Sequence, residues 1–137
     1  MSITDTARSY IDALEQQDVE AVTALLTEDA TVDIPLSNTG GLDPWFVFIG
    51  HQAALGYVET IFKNFETVLL VERNFFAADD GQTVFAELTG DLIQRGTGAS
   101  YRNRYVFKFT IRDGQVSHLS EYANPVTFAR LMGLPLG

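Results

Sequence analysis

Apolar and polar residues alternate along the second half of the chain, in four runs between residues 67 and 122. The turn sequences ADDGQ, QRGTGAS and RDGQ separate these runs. A period of two is typical of strands with one buried face, and short turns rich in Gly and Asp favour pairing between successive strands. We therefore predict an antiparallel meander of four strands.

The first part of the chain shows helical spacing instead. A cap at Thr4 or Asp5 is followed by apolar residues three to four positions apart, which predicts a helix that ends near Gln17. Asp18 is then placed to cap a second, short helix with the sequence VEAVTALL. The two helices are expected to pack as a hairpin.

Between these helices and the meander lie a strand, a loop and a third helix. Residues 30–34 alternate and predict the strand, and the loop LSNTGGLDP leads into WFVFIG, a strand-like or irregular run that is a candidate lid. The segment HQAALGYVETIFKNF predicts a third helix, in which Gly56 indicates a close approach of another segment.

The order of these elements predicts an α+β fold, with helices on one face of a mostly antiparallel sheet. The tail FARLMG adds a last helical turn. A chain of 137 residues with no internal repeat or linker is the size of one domain, so residues 1–137 are expected to share one core.

Composition excludes several classes of partner and site. The net charge of −9 disfavours nucleic acid and anionic membranes. The chain has no cysteine and only two histidines, which argues against a metal site, a disulfide framework or a cysteine nucleophile. The polar N-terminus MSITDTARSY is unlike a signal peptide, so a cytoplasmic protein is expected.

Two long segments resemble the ends of SnoaL-like proteins, within the nuclear-transport-factor-2-like superfamily. They are YIDALEQQDVEAVTALLTEDATVDIP and DGQVSHLSEYANPVTFARLMGLP. The resemblance implies a cystatin-like cone, in which a curved sheet and the N-terminal helices enclose a pocket for a hydrophobic small molecule. It also implies a homodimer that forms through the outer face of the sheet.

Two enzyme branches of that superfamily differ from this chain at their catalytic positions. In the resemblance to ketosteroid isomerase, Tyr10 falls on the catalytic tyrosine and Tyr105 near the second donor, but Ile34 stands where the base would be. In the resemblance to limonene epoxide hydrolase, Glu121 matches one catalytic aspartate, while Leu88 replaces one of its polar partners. Neither catalytic set is complete.

The third branch, the phenazine-biosynthesis PhzA/PhzB proteins, resembles the chain along SYRNRYVFKFTIRDGQVSHLSEYANPVTFARLMGLP without a gap. In that family a glutamate before an aromatic residue acts as acid and base, and Glu121 occupies its position. A pocket tyrosine matches Tyr101, whereas the helix histidine of the family is replaced by Tyr57.

The alternation of the strands sorts side chains between the pocket and the outer surface. If Glu121 points inward, the aromatic face of the strand before it also points inward, and Arg102 and Arg104 lie outside, where they can meet Glu87 and Asp91. Trp45 would fold over the mouth. The other expected pocket residues are Tyr10, Ile34, Tyr57, Leu88, Gly90, Tyr101, Asn103, Tyr105 and Leu119.

Two hypotheses about function follow. The first is an isomerase, dehydratase or cyclase that acts on a hydrophobic substrate without metal or organic cofactor. Glu121 would move the proton, since burial raises the pKa of a carboxyl, and Tyr10 and Tyr57 would assist in catalysis. Tyr101 would help to position the substrate. The second is a ligand-binding or dimer-forming module that kept the cone without the catalysis.

Overall fold

The computed structural model describes residues 1–136, and its elements follow the predicted order. The helices are α1 (Ile3–Gln16), α2 (Val19–Leu25), α3 (His51–Asn64) and α4 (Pro125–Met132). The strands are β1 (Leu26–Ile34), β2 (Phe46–Ile49), β3 (Phe65–Ala77), β4 (Thr83–Gln94), β5 (Ser100–Arg112) and β6 (Gln115–Ala123). The α+β prediction is confirmed.

The helix starts confirm one predicted cap and correct another. Asp18 caps α2 by accepting a hydrogen bond from the backbone N–H of Ala21 at 3.1 Å. The α1 cap is Ser2, and Asp5 is its capping-box partner: the Asp5 N–H donates to the Ser2 hydroxyl and the Ser2 N–H donates to the Asp5 carboxylate, both at 3.1 Å. The helix therefore begins earlier than the first apolar residues indicate.

All six strands form one sheet in the order β2-β1-β6-β5-β4-β3. Strands β3 to β6 pair in succession as the predicted antiparallel meander, and β2 is antiparallel to β1. The pairing of β1 with β6 is parallel, and one helix and four strands lie between the two in the chain. This pairing brings the N-terminal strand beside the strand that carries Glu121.

The two faces of the meander differ as the alternation predicts. In β5, Tyr101 and Asn103 are buried on the inner face, whereas Arg102 and Arg104 are exposed on the outer face. The register sets Asp91 of β4 opposite Arg102. The outer face is thus charged where the inner face is aromatic.

A bulge in β3 is held by the first helix and contributes to the curvature of the sheet. The register shifts between Val71 and Asn74, with an intervening left-handed residue. The guanidinium group of Arg73 contacts the carboxylates of Asp12 at 2.6 Å and Glu15 at 2.9 Å. Both acids are on α1, so this ion-pair cluster fixes the helix against the bend.

Two glycines in this scaffold occupy opposite environments. The prediction that another segment closely approaches Gly56 is wrong, because a Cβ added there would meet nothing within 4 Å. At Gly90, on the inner face of β4, an added Cβ would lie 2.5 Å from Cε2 of Tyr105. Gly90 therefore leaves the space in which the Tyr105 ring lies.

We predict that Gly90→Ala displaces the Tyr105 ring and lowers the free energy of unfolding by about 1–3 kcal/mol, as overpacking does elsewhere. Gly56→Ala is the matched control, since the same methyl group in an open helical position should raise stability by about 0.5–1 kcal/mol. Urea unfolding of both variants gives the comparison. Equal effects would show that the Gly90 site is not tightly packed.

Candidate functional site

A cavity of about 160 Å³ lies between the inner face of the sheet and helices α1, α3 and α4. Most of its wall is apolar or aromatic, with one carboxylate and three phenols. The wall consists of Leu14, Ile34, Leu36, Trp45, Phe46, Tyr57, Thr60, Ile61, Asn64, Phe65, Val68, Leu70, Leu92, Tyr101, Tyr105, Phe107, Glu121, Ala123, Asn124, Pro125 and Phe128.

Glu121 is the carboxylate on this wall. It lies on β6 opposite Phe107 of β5 and is only 5% exposed. Its Oε1 accepts a hydrogen bond of 2.6 Å from the hydroxyl of Tyr57. Removal of the carboxyl from water raises its pKa from the usual 4.5 to about 7, the Tyr57 hydrogen bond counteracts part of that rise, and the charge of Asp33 adds to it.

Tyr57 reaches this carboxylate from the third helix. Its ring stacks on Phe48 of β2 with 4.6 Å between ring centres. Burial and the neighbouring Glu121 charge hold the pKa of the Tyr57 phenol well above its usual 10, so the phenol remains a donor. The stacked rings and the hydrogen bond together fix the direction of the Glu121 carboxyl.

Aromatic rings continue from Phe48 to the mouth of the cavity. Phe46 stacks between Phe48 and Trp45, with ring-centre distances of 6.3 and 5.2 Å. The edge contact of Trp45 with Phe128 of α4 spans 5.7 Å, and Phe128 in turn contacts Tyr101 at 5.9 Å. The loop before β2 and the last helix thus close the mouth together.

A second cluster of polar side chains on β5 consists of two phenols of the wall and the buried Asn103 behind them. The Asn103 amide donates to the Tyr101 hydroxyl at 2.8 Å and to the carbonyl of Asn124 at 3.0 Å. The Tyr105 hydroxyl also donates to that of Tyr101, at 3.3 Å. Burial raises the pKa of both phenols, and the hydrogen bonds that the Tyr101 oxygen accepts from Tyr105 and Asn103 offset part of the rise in the Tyr101 pKa.

The structure brings most of the predicted pocket residues to the cavity wall. Glu121, Tyr57, Tyr101, Tyr105, Trp45 and Ile34 all line it. Asn103 lies behind the wall and reaches it through Tyr101, while Leu88 and Leu119 are buried in the core next to it.

Tyr10 is placed differently from the other phenols. It is fully buried, its ring meets Phe109 edge-on at 5.7 Å, and it is not part of the wall. Within residues 1–136 its hydroxyl has no hydrogen-bond partner, and burial followed by the Glu121 charge raises its pKa. The phenol that contacts Glu121 is Tyr57 rather than Tyr10.

Helix α4 contributes to the site more than its sequence pattern predicts. Only FARLMG was predicted to be helical, yet α4 begins at Pro125, with the Asn124 side chain accepting from the Val126 N–H at 3.0 Å. Asn followed by Pro is a recognisable helix start and would have extended the helix. Phe128 would then have been expected to face the sheet.

The chain is similar to known proteins in sequence and in fold. The family model described as a SnoaL-like domain matches residues 7–119. The uncharacterized Bacillus subtilis protein YesE is 24% identical over 129 residues, which cover 94% of this chain and 86% of YesE.

Two solved structures show the same fold. One is a candidate isomerase from Bacillus subtilis, with a TM-score of 0.81, 24% identity and coverage of 98% of this chain and 95% of the other. A phenazine-biosynthesis-related protein from Pseudomonas aeruginosa gives a TM-score of 0.78 and 20% identity, covering 98% of this chain and 90% of the other. They confirm the expected cone-like architecture.

A third structure, a candidate polyketide cyclase from Xanthomonas campestris, has a TM-score of 0.76 and 23% identity, with 92% of this chain and 93% of the other covered. Among residues 1–136, no helix combines the length and the apolar character that a membrane crossing needs.

We predict that Glu121 destabilises the fold increasingly as the pH rises. Below about pH 4.5 the carboxyl is protonated in both the folded and the unfolded chain, and above about pH 7 the folded state retains a buried charge. The pKa difference corresponds to about 3 kcal/mol at about 1.4 kcal/mol per unit. Relative to the native chain, Glu121→Gln should gain about that stability between pH 4.5 and pH 8.

Urea unfolding of both proteins across this range measures the difference, because all other titrating groups are common to the two. A constant difference between pH 4.5 and pH 8 would show that Glu121 has an ordinary pKa.

Proposed function

This chain belongs to the SnoaL-like domain family, and on that basis we propose that it is an enzyme that moves a proton within a hydrophobic substrate, as an isomerase or cyclase does. The proposal needs neither a metal ion nor an organic cofactor. Relatives of the same fold described as a candidate isomerase and a candidate polyketide cyclase support it.

The observation that carries the proposal is the state of Glu121. A carboxyl whose pKa is about 7 is present in both protonated and ionised forms near neutral pH, so it can accept and return a proton. Tyr57 holds one of its oxygens, and within residues 1–136 that is the only hydrogen bond made by the Glu121 side chain. The other oxygen, Oε2, is available to a ligand in the cavity.

The apolar wall assists this chemistry in two ways. It binds a hydrophobic substrate by removing its surface from water, and it keeps the carboxylate poorly solvated and therefore basic. Glu121 would take a proton from one atom of the substrate and return it to another, so the product would have the same atoms as the substrate. Isomerisation and ring closure meet that condition.

A small carbon acid tests the proposed base directly. In 5-nitrobenzisoxazole, removal of the ring C–H proton breaks the N–O bond and gives a coloured nitrophenolate. We expect the native protein to open this probe at least about 100-fold faster than Glu121→Gln, with a rate that rises with pH through about 7.

Tyr57→Phe provides a second readout. Its hydrogen bond lowers the Glu121 pKa, so its loss should move the inflection of the rate profile to higher pH. If the native chain and Glu121→Gln opened the probe equally fast, the catalytic proposal would fail and the ligand-binding module would be favoured.

We also propose that two copies of the chain pair through the outer face of the sheet. Apolar side chains are exposed on this face, among them Val47 at 50%, Ile49 at 73% and Tyr122 at 37%. His118 lies on the same face, on β6 with Tyr122, and its Nδ1 is 2.5 Å from the Thr31 hydroxyl and its Nε2 3.0 Å from that of Ser120.

Ser120 in turn donates to the Asp33 carboxylate at 2.5 Å. Because these polar groups satisfy one another, their burial against a second copy costs less than the burial of free groups would. The outer face therefore combines apolar area with internally paired polar groups.

We predict that the native chain sediments as a dimer at micromolar concentration and that Tyr122→Glu sediments as a monomer, because it places a charge in the interface. Leu42→Glu is the control, since Leu42 is fully exposed on a loop. A native monomer in sedimentation velocity would rule out this pairing.

A further inference from the structure

The outer face of the sheet carries a chain of hydrogen bonds that ends on the carboxylate of Asp33. The Ser120 hydroxyl donates its proton to Asp33 Oδ1 at 2.5 Å, so the Ser120 oxygen accepts from Nε2 of His118, 3.0 Å away. With the ring proton on Nε2, Nδ1 accepts from the Thr31 hydroxyl, 2.5 Å away. Each donor in the chain therefore points towards Asp33, whose carboxylate is the last acceptor.

This carboxylate lies directly behind Glu121. Asp33 of β1 is the register partner of Ser120 of β6, and Glu121 is the next residue along β6. Because successive side chains of a strand point to opposite faces, Asp33 and Ser120 lie on the outer face and Glu121 on the inner one. With neighbouring strands about 4.8 Å apart, the two carboxyl groups are separated by roughly 8 Å, with the backbone of the sheet between them.

Few cations are available to neutralise Asp33. The Nε2 atom of His118, 3.5 Å from Asp33 Oδ1, is its only ion-pair contact within residues 1–136. Lys108 of β5 is the register partner of Ser120 on the other side, but it forms no ion pair with Asp33. The β2 partner of Asp33 is the uncharged Val47. The Asp33 side chain is 24% exposed, so water screens its charge only in part.

A negative charge in this position disfavours a second negative charge on Glu121. Two unit charges about 8 Å apart shift a pKa by roughly half a unit to one unit, at effective dielectric constants of about 30 to 60. Burial raises the Glu121 pKa most, and the charge of Asp33 raises it further. The estimate from the strand register and the direction of the shift therefore agree.

We propose that Asp33 acts on the cavity through Glu121: from the outer face, its carboxylate makes Glu121 a stronger base than burial alone would. Asp33 does not line the cavity, so it is a positioning residue. The effect on catalysis rests on the proposed function, whereas the coupling between the two carboxyl groups does not. Such coupling is reciprocal, so a change of charge on either face alters the other.

The titration of Glu121 tests the coupling without any substrate. In protein labelled with carbon-13 at the glutamate carboxyls, the Glu121 signal is identified by its absence from Glu121→Gln. The native midpoint should lie at about pH 7. Asp33→Asn keeps an oxygen that accepts from Ser120 but removes the charge, and it should lower the midpoint by roughly half a unit or more.

Three further variants separate charge from structure. Asp91→Asn is the matched control, because it removes the same charge from the outer face of β4, two strands away from β6, and should leave the midpoint unchanged. Asp33→Glu retains the charge and should restore a midpoint near the native one. Asp33→Ser is a second neutral variant that tests the coupling if Asp33→Asn does not fold.

The opening of 5-nitrobenzisoxazole gives a second readout. A weaker base is ionised at lower pH but removes a proton more slowly, so the rate profile of Asp33→Asn should cross the native profile. We expect a rate about twofold higher below about pH 6 and about twofold lower above about pH 8. A purely structural role of Asp33 would lower the rate at every pH without moving the inflection.

An unchanged Glu121 midpoint in folded Asp33→Asn or Asp33→Ser, or an equal shift in Asp91→Asn, would overturn the coupling. The coupling and the proposed function fail separately. A midpoint that depends on Asp33 without Glu121-dependent ring opening would keep the coupling and remove the catalysis. Ring opening by a Glu121 whose midpoint does not depend on Asp33 would do the reverse.

Discussion

The hydrogen bond from Tyr57 to Glu121 connects α3 to β6 across the cavity, and the site is organised around it. A carboxyl removed from water needs at least one partner, and a single phenol leaves it basic where an arginine would have made it permanently anionic. Tyr57 is held in turn by its stack on Phe48. The position of one ionisable group therefore depends on a helix, an edge strand and the end of the meander.

Most of the fold could be predicted because the strands repeat every two residues. Alternation along β5 and β6 placed Glu121, Tyr101 and Tyr105 on one face, and the register confirms that placement. The parallel pairing of β1 with β6 left no such signal, because it depends on contacts between residues nearly 90 positions apart in the chain. A local pattern reports only on residues that are close in sequence, and the residues that pair between β1 and β6 are not.

The sequence predicted which face of the sheet carries the site, but it did not predict which residues on that face reach the cavity. Parity could not separate Tyr57 from Tyr10, since both are helical tyrosines directed at the sheet, and only packing decides which hydroxyl meets Glu121. Nor could it separate wall from core: Leu88 shares its face with Leu92, yet only Leu92 reaches the cavity. The orientation of the Asn103 amide is set by the backbone N–H groups of Arg104 and Asn124, which donate to its oxygen. These backbone contacts have no sequence signature.

The tryptophan at the mouth of the cavity can report on ligand binding. The chain contains one tryptophan, and that residue, Trp45, packs against Phe46 and Phe128 where a ligand would enter. Its indole can be excited at wavelengths at which the five tyrosines do not absorb. The native sequence therefore carries an intrinsic fluorophore at the entrance, whose emission reports the local polarity there without any label.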